Sequence, residues 1–271
     1  MEDNSKKTKI IKMLSIVLPI VLIVVLAVTL LIALKLSNDL SSLPVYKDMD
    51  PNGTGEQSDT VKEDPKTDSG EPIEDYYSKG LSYKSLGNGT CTLSGIGNCT
   101  DSYIIVPMIN ENGELVVGIA DSAFKNINTI KGIEFPDSVT KIGAFAFYGS
   151  SVKNIEISAK IASIGSYALC ACRNLENITV DAENPNYSSL RGVLYNKSGS
   201  ELITYPAGRD ENSCIISKEV EKVSNMAFYF CSGIKKVIYY GTENQWKMID
   251  IGAGNDVIEK ALLSCAGSEG K

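Results

Sequence analysis

The side chains of this chain that could do chemistry are thiols and carboxylates, because the chain contains no histidine. This absence removes Ser/His and Cys/His nucleophilic pairs and every histidine metal site. The seven cysteines include one close pair, Cys170 and Cys172, whose spacing is not the CxxC of a zinc site. Their odd number and wide spread do not indicate a disulfide framework either. A carboxylate-dependent hydrolase would remain an alternative, but no pair of acidic residues has a suggestive spacing. We therefore predict no catalytic residues, no metal site and no cofactor.

One acidic stretch has the spacing of a calcium loop. In DMDPNGTGEQSD, residues 48–59, oxygen-bearing side chains stand at positions 1, 3, 5 and 12, and glycine stands at position 6. However, position 8 is glycine instead of an aliphatic residue, position 12 is Asp instead of Glu, and no flanking helix is predicted. We interpret the stretch as part of a solvated acidic linker.

The linker as a whole covers residues 37–80 and carries eleven acidic residues against four lysines. Its net charge of −7 equals the formal charge of the entire chain. Four prolines, few apolar residues and repelling charges predict a disordered segment. The acidic balance also argues against a nucleic-acid partner, since phosphate binding needs a basic face.

An uncharged apolar run, residues 13–34, precedes the linker. Its 22 residues can span a bilayer core of roughly 30 Å as a helix, whereas the apolar part of a signal peptide has only about 7–15 residues. Four lysines lie before the run, so the positive-inside rule places the N-terminus in the cytoplasm. We predict a cytoplasmic segment 1–12, a transmembrane signal-anchor 13–36 and an extracellular remainder, with a cleaved signal as the alternative.

From residue 81 onward, apolar residues recur in register. Ala-Phe or Ala-Leu pairs begin at Ala123, Ala146, Ala168 and Ala227, at spacings of 23, 22 and 59. An Ile or Val stands four residues before each alanine, and an L-x-x-I-x-I type of segment follows each pair. A period of about 20–29 residues with such segments is typical of a leucine-rich repeat. The fold class predicted for residues 81–271 is a β-rich (α+β) solenoid with a parallel strand stack.

Each part of the repeat has a predicted place in a coil. The L-x-x-I-x-I segment forms a strand, the Ala-Phe pair lies on a return limb with its ring inside, and Gly143 and Gly165 relax φ at a corner. The spacing of 59 leaves room for an insert at about 181–216, with a hairpin of strands Val193–Tyr195 and Glu201–Tyr205.

Both ends of the solenoid are predicted to be capped, because an open coil exposes its apolar interior. A hairpin about Gly87-Asn88-Gly89 would cover the first coil. At about 240–271, a helix starting at a Thr242 capping box and a second helix, Asp256–Ser264, would form a C-terminal helical cap. Trp246 either packs as a lid over the last coil or is a binding hot spot.

These motifs resemble the BspA-like leucine-rich-repeat surface proteins. The resemblance rests on the I-G-x-x-A-F-x-x-C-x-x-L-x-x-I-x-I units, the N-P-N-Y-x-S-x-x-G-V-L-Y-N-K insert, the opening L-S-G-I-G-N-C-T-D and the closing Y-G-T-E-N-Q-W. It implies a non-enzymatic extracellular protein, in a family of which some members adhere to host proteins such as fibronectin and fibrinogen. It also implies that Cys172 and Cys231 are buried, stacked thiols.

The predicted function is therefore that of a membrane-anchored cell-surface protein that binds an extracellular protein or a cell-wall or host glycan. The alternative is a structural envelope protein that self-associates through its repeats, without a soluble ligand. The candidate binding face consists of the outward strand positions Glu134, Asn154, Glu156, Asn177, Thr179, Lys236, Ile238 and Tyr240. The last two could instead pack beneath the C-terminal cap.

Overall fold

A computed structural model describes residues 76–267, which lie within one compact unit, Asp64–Lys271. These residues form seventeen short strands and two short helices. The strands are β1 (Ser82–Ser85), β2 (Thr90–Gly95), β3 (Tyr103–Ile105), β4 (Leu115–Ile119), β5 (Gly132–Glu134), β6 (Lys141–Ile142), β7 (Asn154–Ile157), β8 (Ser163–Ile164), β9 (Asn177–Val180), β10 (Tyr187–Leu190), β11 (Val193–Asn196), β12 (Glu201–Thr204), β13 (Ser213–Ile216), β14 (Lys222–Val223), β15 (Lys236–Tyr239), β16 (Asp250–Ile251) and β17 (Leu262–Cys265). The helices are α1 (Glu243–Trp246) and α2 (Asp256–Lys260).

The strands stack in parallel on two faces of a leucine-rich-repeat β-solenoid, as predicted. On the back face, β2, β4, β6 and β8 pair in parallel, and β1 pairs antiparallel with β2 at the end of the sheet. On the front face, β3, β5, β7 and β9 pair in parallel. The chain passes from a back strand through a return limb to a front strand, and each such turn is one coil.

The insert interrupts this arrangement after β9. Strands β10, β11 and β12 are antiparallel, which confirms the predicted hairpin and adds one strand to it. Beyond the insert, β12, β14 and β16 continue a back face, while β13, β15 and β17 form a second front sheet. Parallel pairing resumes there in both sheets.

The return limbs are joined by their own ladder of backbone hydrogen bonds. The amide of Phe124 donates to the carbonyl of Ala146 (2.7 Å), and the amide of Phe147 donates to that of Ala168 (2.8 Å). The rings of Phe124 and Phe147 are fully buried and stack with centroids 5.2 Å apart. The Ala-Phe pair therefore does what its sequence predicts, since the small residue permits close approach and the ring fills the coil.

The predicted C-terminal helical cap is not supported. The Thr242 capping box is present, and Trp246 packs edge-on against Tyr239 with centroids 5.4 Å apart. However, α1 has only 4 residues and α2 only 5, and the chain beside them forms β16 and β17. The segment Leu262–Cys265 alternates outward and inward side chains like the front strands before it, so it extends the solenoid by a further coil.

The N-terminal boundary also differs from the prediction. Ser78, assigned to the linker, is only 7 % exposed, and its amide donates to the carbonyl of Ile105 (3.0 Å). The folded part therefore begins by Tyr76. Within 76–267, no helix has the length and apolar character needed to cross a bilayer. The predicted segments 1–12 and 13–36, the calcium-like stretch and the rest of the linker lie outside the described residues.

Candidate binding surfaces

The predicted binding face lies on the front strands. In β7, Ile155 is buried, whereas Asn154 and Glu156 are exposed, as the strand period of two requires. Parallel register carries this alternation to β9, where Asn154 is paired with Asn177 and Glu156 with Thr179. These four side chains form two polar rows, Asn154 with Asn177 and Glu156 with Thr179, and the two members of each row lie on adjacent strands.

Glu134 lies in line with the second of these rows. It follows Ile133, which is paired with Ile155 of β7, and it is itself paired with Ile105 of β3. The first front sheet therefore brings together five of the eight predicted residues: Glu134, Asn154, Glu156, Asn177 and Thr179.

The other three predicted residues belong to a different sheet. Lys236 and Ile238 lie in β15, and Tyr240 directly follows that strand. The insert separates this sheet from β9, since the amide of Ile178 donates to the carbonyl of Gly192 in the insert (3.0 Å). The predicted continuous face is therefore divided between two sheets. The prediction counted positions along the repeats and did not include the space that the insert occupies beside β9.

The structure also bears on the two readings of Ile238 and Tyr240. Ile238 is half-buried and in register with Ile215 on one side and Ser264 on the other. β17 lies beside β15 in the same sheet, and packing of the two residues beneath the C-terminal segment stays a prediction. Tyr240 is exposed and directly follows β15, the middle strand of this second sheet.

Sequence reasoning missed one residue of the first sheet, Tyr103. This ring is 56 % exposed and lies against Gly132, where a side chain would collide with it. Tyr103 is in register with Gly132, which in turn is paired with Asn154, so the ring stands at the head of the polar row. The alternation in β3 could have found it, but that strand precedes the first recognised repeat unit.

A second surface, on the return limbs, was also missed. Phe145 and Tyr167 have left-handed backbones (φ of 56° and 61°), which turn their half-buried rings away from the interior. The two rings are 5.2 Å apart, and the Lys125 ammonium lies 5.3 Å from the Phe145 centroid. The sequence signal was a large residue on each side of the limb alanine, as in Phe145-Ala146-Phe147 and Tyr167-Ala168-Leu169, because only one residue of each pair fits inside the coil.

Six of the seven cysteines are buried in the interior, and Cys265 is partly buried. Cys172 and Cys231 are buried, as predicted. The Cys172 thiol donates to the carbonyl of Phe147 (2.9 Å), and burial raises its pKa to about 11. Among residues 76–267, the seven cysteines form no disulfide with one another. A buried thiol such as that of Cys172, whose pKa is raised, behaves as a small apolar group.

The chemistry that the front sheet can perform is recognition. Its outward groups are carboxylates, amides, a hydroxyl and one phenol, which together offer hydrogen-bond acceptors and donors and one flat ring. Among residues 76–267 there is no group of three or more side chains placed to hold a metal ion. The rigid parallel backbone beneath fixes the spacing of these groups.

Comparison with known proteins gives a family match for the repeats. Residues 109–211 match the model of the BspA type leucine rich repeat region, in six copies. No curated protein matches the chain.

Several solved structures are similar to the chain. A leucine rich cell surface protein from Faecalibacterium prausnitzii is 29 % identical, with a TM-score of 0.47, and the match covers 56 % of this chain and 37 % of that one. A leucine-rich repeat protein from Eubacterium ventriosum is 25 % identical, with a TM-score of 0.41 and coverage of 56 % and 50 %. The pneumococcal vaccine antigen PcpA is 17 % identical, with a TM-score of 0.33 and coverage of 69 % of each chain. The match thus spans half or less of the length of the first two.

Proposed function

We propose that the chain, whose residues 109–211 match the BspA type leucine rich repeat region, is a cell-surface protein that binds an extracellular protein or a cell-wall or host glycan. It is proposed to act by binding alone, without catalysis. The observation that carries the proposal is the pair of polar rows on β5, β7 and β9, held in register by parallel pairing.

The front sheet suits a binding role because its outward side chains are already ordered by the fold. Binding then costs little backbone entropy, which favours affinity. Tyr103 adds a large amphipathic side chain at the end of a row, the type of residue that often dominates binding energy. We propose that the ligand lies along β3, β5, β7 and β9, with the second front sheet as a separate contact area.

The experiment is a binding screen of the purified full chain against immobilised fibronectin, fibrinogen and cell-wall glycans. A triple variant, Asn154→Ala, Glu156→Ala and Thr179→Ala, removes the outward groups of two adjacent strands. We expect about tenfold or greater loss of affinity, equivalent to about 1.4 kcal/mol or more. Interferometry would measure the dissociation constant for each immobilised probe.

A matched control alters the same kinds of residue away from the rows. Asn186, Glu183 and Thr129 are all exposed, and none lies on a front strand. Their triple alanine variant is expected to bind as the unmodified chain does. If the triple variant on the front strands bound as tightly as the unmodified chain, the proposal that these strands bind the ligand would be rejected. A chain that binds only copies of itself would favour the alternative, a self-associating envelope protein.

We further propose that residues 13–36 anchor the protein in a membrane, with residues 1–12 cytoplasmic and the repeats outside. The support is the uncharged run of 22 residues and the lysines before it. In intact cells, added protease should remove the repeat domain while leaving the N-terminal segment in the membrane fraction. Release into the medium of a chain that lacks the N-terminal segment, without added protease, would instead indicate a cleaved signal.

A further inference from the structure

Five aromatic rings lie together on the outer side of the return limbs. We call them the limb rings, and they belong to Phe145, Tyr148, Tyr167, Tyr229 and Phe230. Between ring centroids, Phe145 lies 5.6 Å from Tyr148 and 5.2 Å from Tyr167, and Tyr229 lies 4.3 Å from Phe230. None of the five residues is fully buried, and Phe230 is 39 % exposed. A contiguous apolar surface that is not covered often marks a binding site.

The limb rings before the insert are close to those after it. Burial raises the pKa of the Tyr148 phenol above its usual value, and the nearby Cys170 thiol and Tyr229 phenol add to the rise. The Cys170 thiol also donates to the carbonyl of Met226 (3.7 Å), on the limb that carries Tyr229 and Phe230. The five rings therefore form one surface.

The folding of the coils does not explain these rings. Phe145, Tyr167 and Phe230 have left-handed backbones, with φ of 56°, 61° and 67°. Such a φ is costly for a bulky residue, whereas glycine and asparagine adopt it more easily. Ser122 occupies the place before the limb alanine in the preceding coil, with a φ of 60°, so the limb does not need an aromatic residue there. Strained residues of this kind concentrate at binding and catalytic sites.

A cation lies over the rings in each half of this surface. The Lys125 ammonium lies 5.3 Å from the Phe145 centroid and 5.7 Å from the Tyr148 centroid, and the Arg173 guanidinium lies 3.8 Å from the Phe230 centroid. These distances are those of cation–π contacts. Both cations belong to exposed residues, and among residues 76–267 neither forms an ion pair with a carboxylate. Each can therefore bind an anionic group of a ligand.

The polar atoms of the limb rings indicate the class of ligand. The hydroxyls of Tyr148, Tyr167 and Tyr229 have no hydrogen-bond partner among residues 76–267. A sugar ring has an apolar C–H face that stacks on an aromatic face, and its rim carries hydroxyl groups that bond to phenols. In a uronic acid the sugar also carries a carboxylate, the partner that a lysine or arginine favours.

The charge of the folded part limits the ligand to a polysaccharide of low charge density. Residues 81–271 carry twenty acidic and seventeen basic residues, so the domain as a whole repels a densely sulfated chain. A polysaccharide with a carboxylate on every second sugar is repelled much less. It still supplies anions for the two cations of this surface.

We propose that the limb rings bind a linear polysaccharide in which a uronic acid alternates with an N-acetylhexosamine. Its sugar rings stack on the aromatic faces, its hydroxyls bond to the phenols, and its carboxylates pair with Lys125 and Arg173. This site lies on a different face from β5, β7 and β9, and it does not depend on the binding proposed for those strands.

The first test uses the purified full chain in detergent and titration calorimetry with hyaluronan oligosaccharides. The unmodified chain should bind hyaluronan, and it should bind uncharged oligomers of N-acetylglucosamine about tenfold more weakly, because these lack carboxylates. Heparin, which is densely sulfated, should also bind more weakly than hyaluronan at equal ionic strength. An unmodified chain that does not bind hyaluronan would overturn the proposal, and so would tighter binding of heparin, because any polyanion would then be sufficient.

The second test removes single groups from the surface. Tyr148→Ala and Tyr229→Ala should each lower the affinity for hyaluronan about tenfold, the size of effect seen when a stacked ring is removed from a binding platform. Lys125→Gln leaves all five rings in place and should lower both the affinity and its dependence on salt. Leu190→Ala is the matched control, because Leu190 is 53 % exposed but lies in β10 and not on a limb. It should bind as the unmodified chain does.

Unchanged melting temperatures would show that the variants are folded, and unchanged affinities in both tyrosine variants would overturn the proposal. Hyaluronan could also bind the front strands. The triple variant Asn154→Ala, Glu156→Ala and Thr179→Ala would then lose hyaluronan binding while the tyrosine variants kept it, so that this inference would fail and the proposed function would stand. If the tyrosine variants instead lost binding to fibronectin, and the unmodified chain bound no polysaccharide, the limb rings would be a protein-binding surface and the proposal would be wrong.

Discussion

At the scale of single residues, the segment KIGAFAF contains one residue with a left-handed backbone and another that has no room for a side chain, and the two are different residues. The sequence predicts that Gly143 relaxes φ at a corner, and this reason is wrong, because its φ is not positive. The left-handed residue is Phe145, two positions later. Gly143 is required for another reason: its backbone lies against the preceding coil, at Ala120 and Asp121.

Gly143→Ala tests this account. The added Cβ would stand 2.5 Å from the Asp121 nitrogen and 2.6 Å from the Ala120 carbonyl carbon, and backbone atoms cannot move aside easily. We expect a loss of about 1–3 kcal/mol in the free energy of unfolding, measured by denaturant titration. In the control Gly233→Ala, the new Cβ would meet only a carbonyl oxygen at 3.4 Å, so stability should change by less than about 0.5 kcal/mol. Equal effects at both positions would contradict the account.

At the scale of elements, the strands whose pattern repeats could be predicted from the sequence. Residues such as Ile133, Ile155 and Ile178 are buried and in register because the period of two and the repeat length together fix which side of each strand faces inward. The two strands of the insert hairpin were predictable for the same local reason. The capping box at Thr242 depends on residues three apart and was likewise visible.

Elements that depend on distant neighbours could not be predicted in the same way. The split of the binding face arises because the insert occupies the space beside β9, which no local pattern reveals. The segment 256–264 was predicted as one helix, but it changes to a strand after Lys260, where β15 offers an edge to pair with. Tertiary pairing overrides helix propensity in so short a segment.

At the scale of the whole molecule, the interior consists of two apolar clusters that meet at the insert. One extends from Leu81 to Leu194 and the other from Val193 to Ile258. The second cluster contains Cys214 and Cys231, and burial raises the pKa of each thiol to about 12. Because each coil contacts only its neighbours, these groups report on the stability of the C-terminal half.

The raised pKa values predict that alkali destabilises the protein. The unfolded chain releases thiol protons above the ordinary pKa of 9.0, while the folded chain keeps them until the pH approaches about 12, so stability falls across that interval. From about pH 8 to about pH 9.5, each buried thiol should cost ~0.8 kcal/mol. Over this range, the double variant Cys214→Ala, Cys231→Ala should therefore lose about 1.6 kcal/mol less than the unmodified chain.

Denaturant titration at the two pH values would measure this difference. A control variant that creates a cavity distinguishes the effect of thiol ionisation from the effect of lost packing. Leu202→Ala also removes buried atoms from the second cluster but leaves both thiols in place. It should lower stability at every pH while keeping the pH slope of the unmodified chain, because it changes no proton uptake. If the double variant also kept that slope, the thiols would have to be accessible to solvent in the folded protein. The tightly stacked C-terminal coils described above would then open far more readily than their enclosed interior implies.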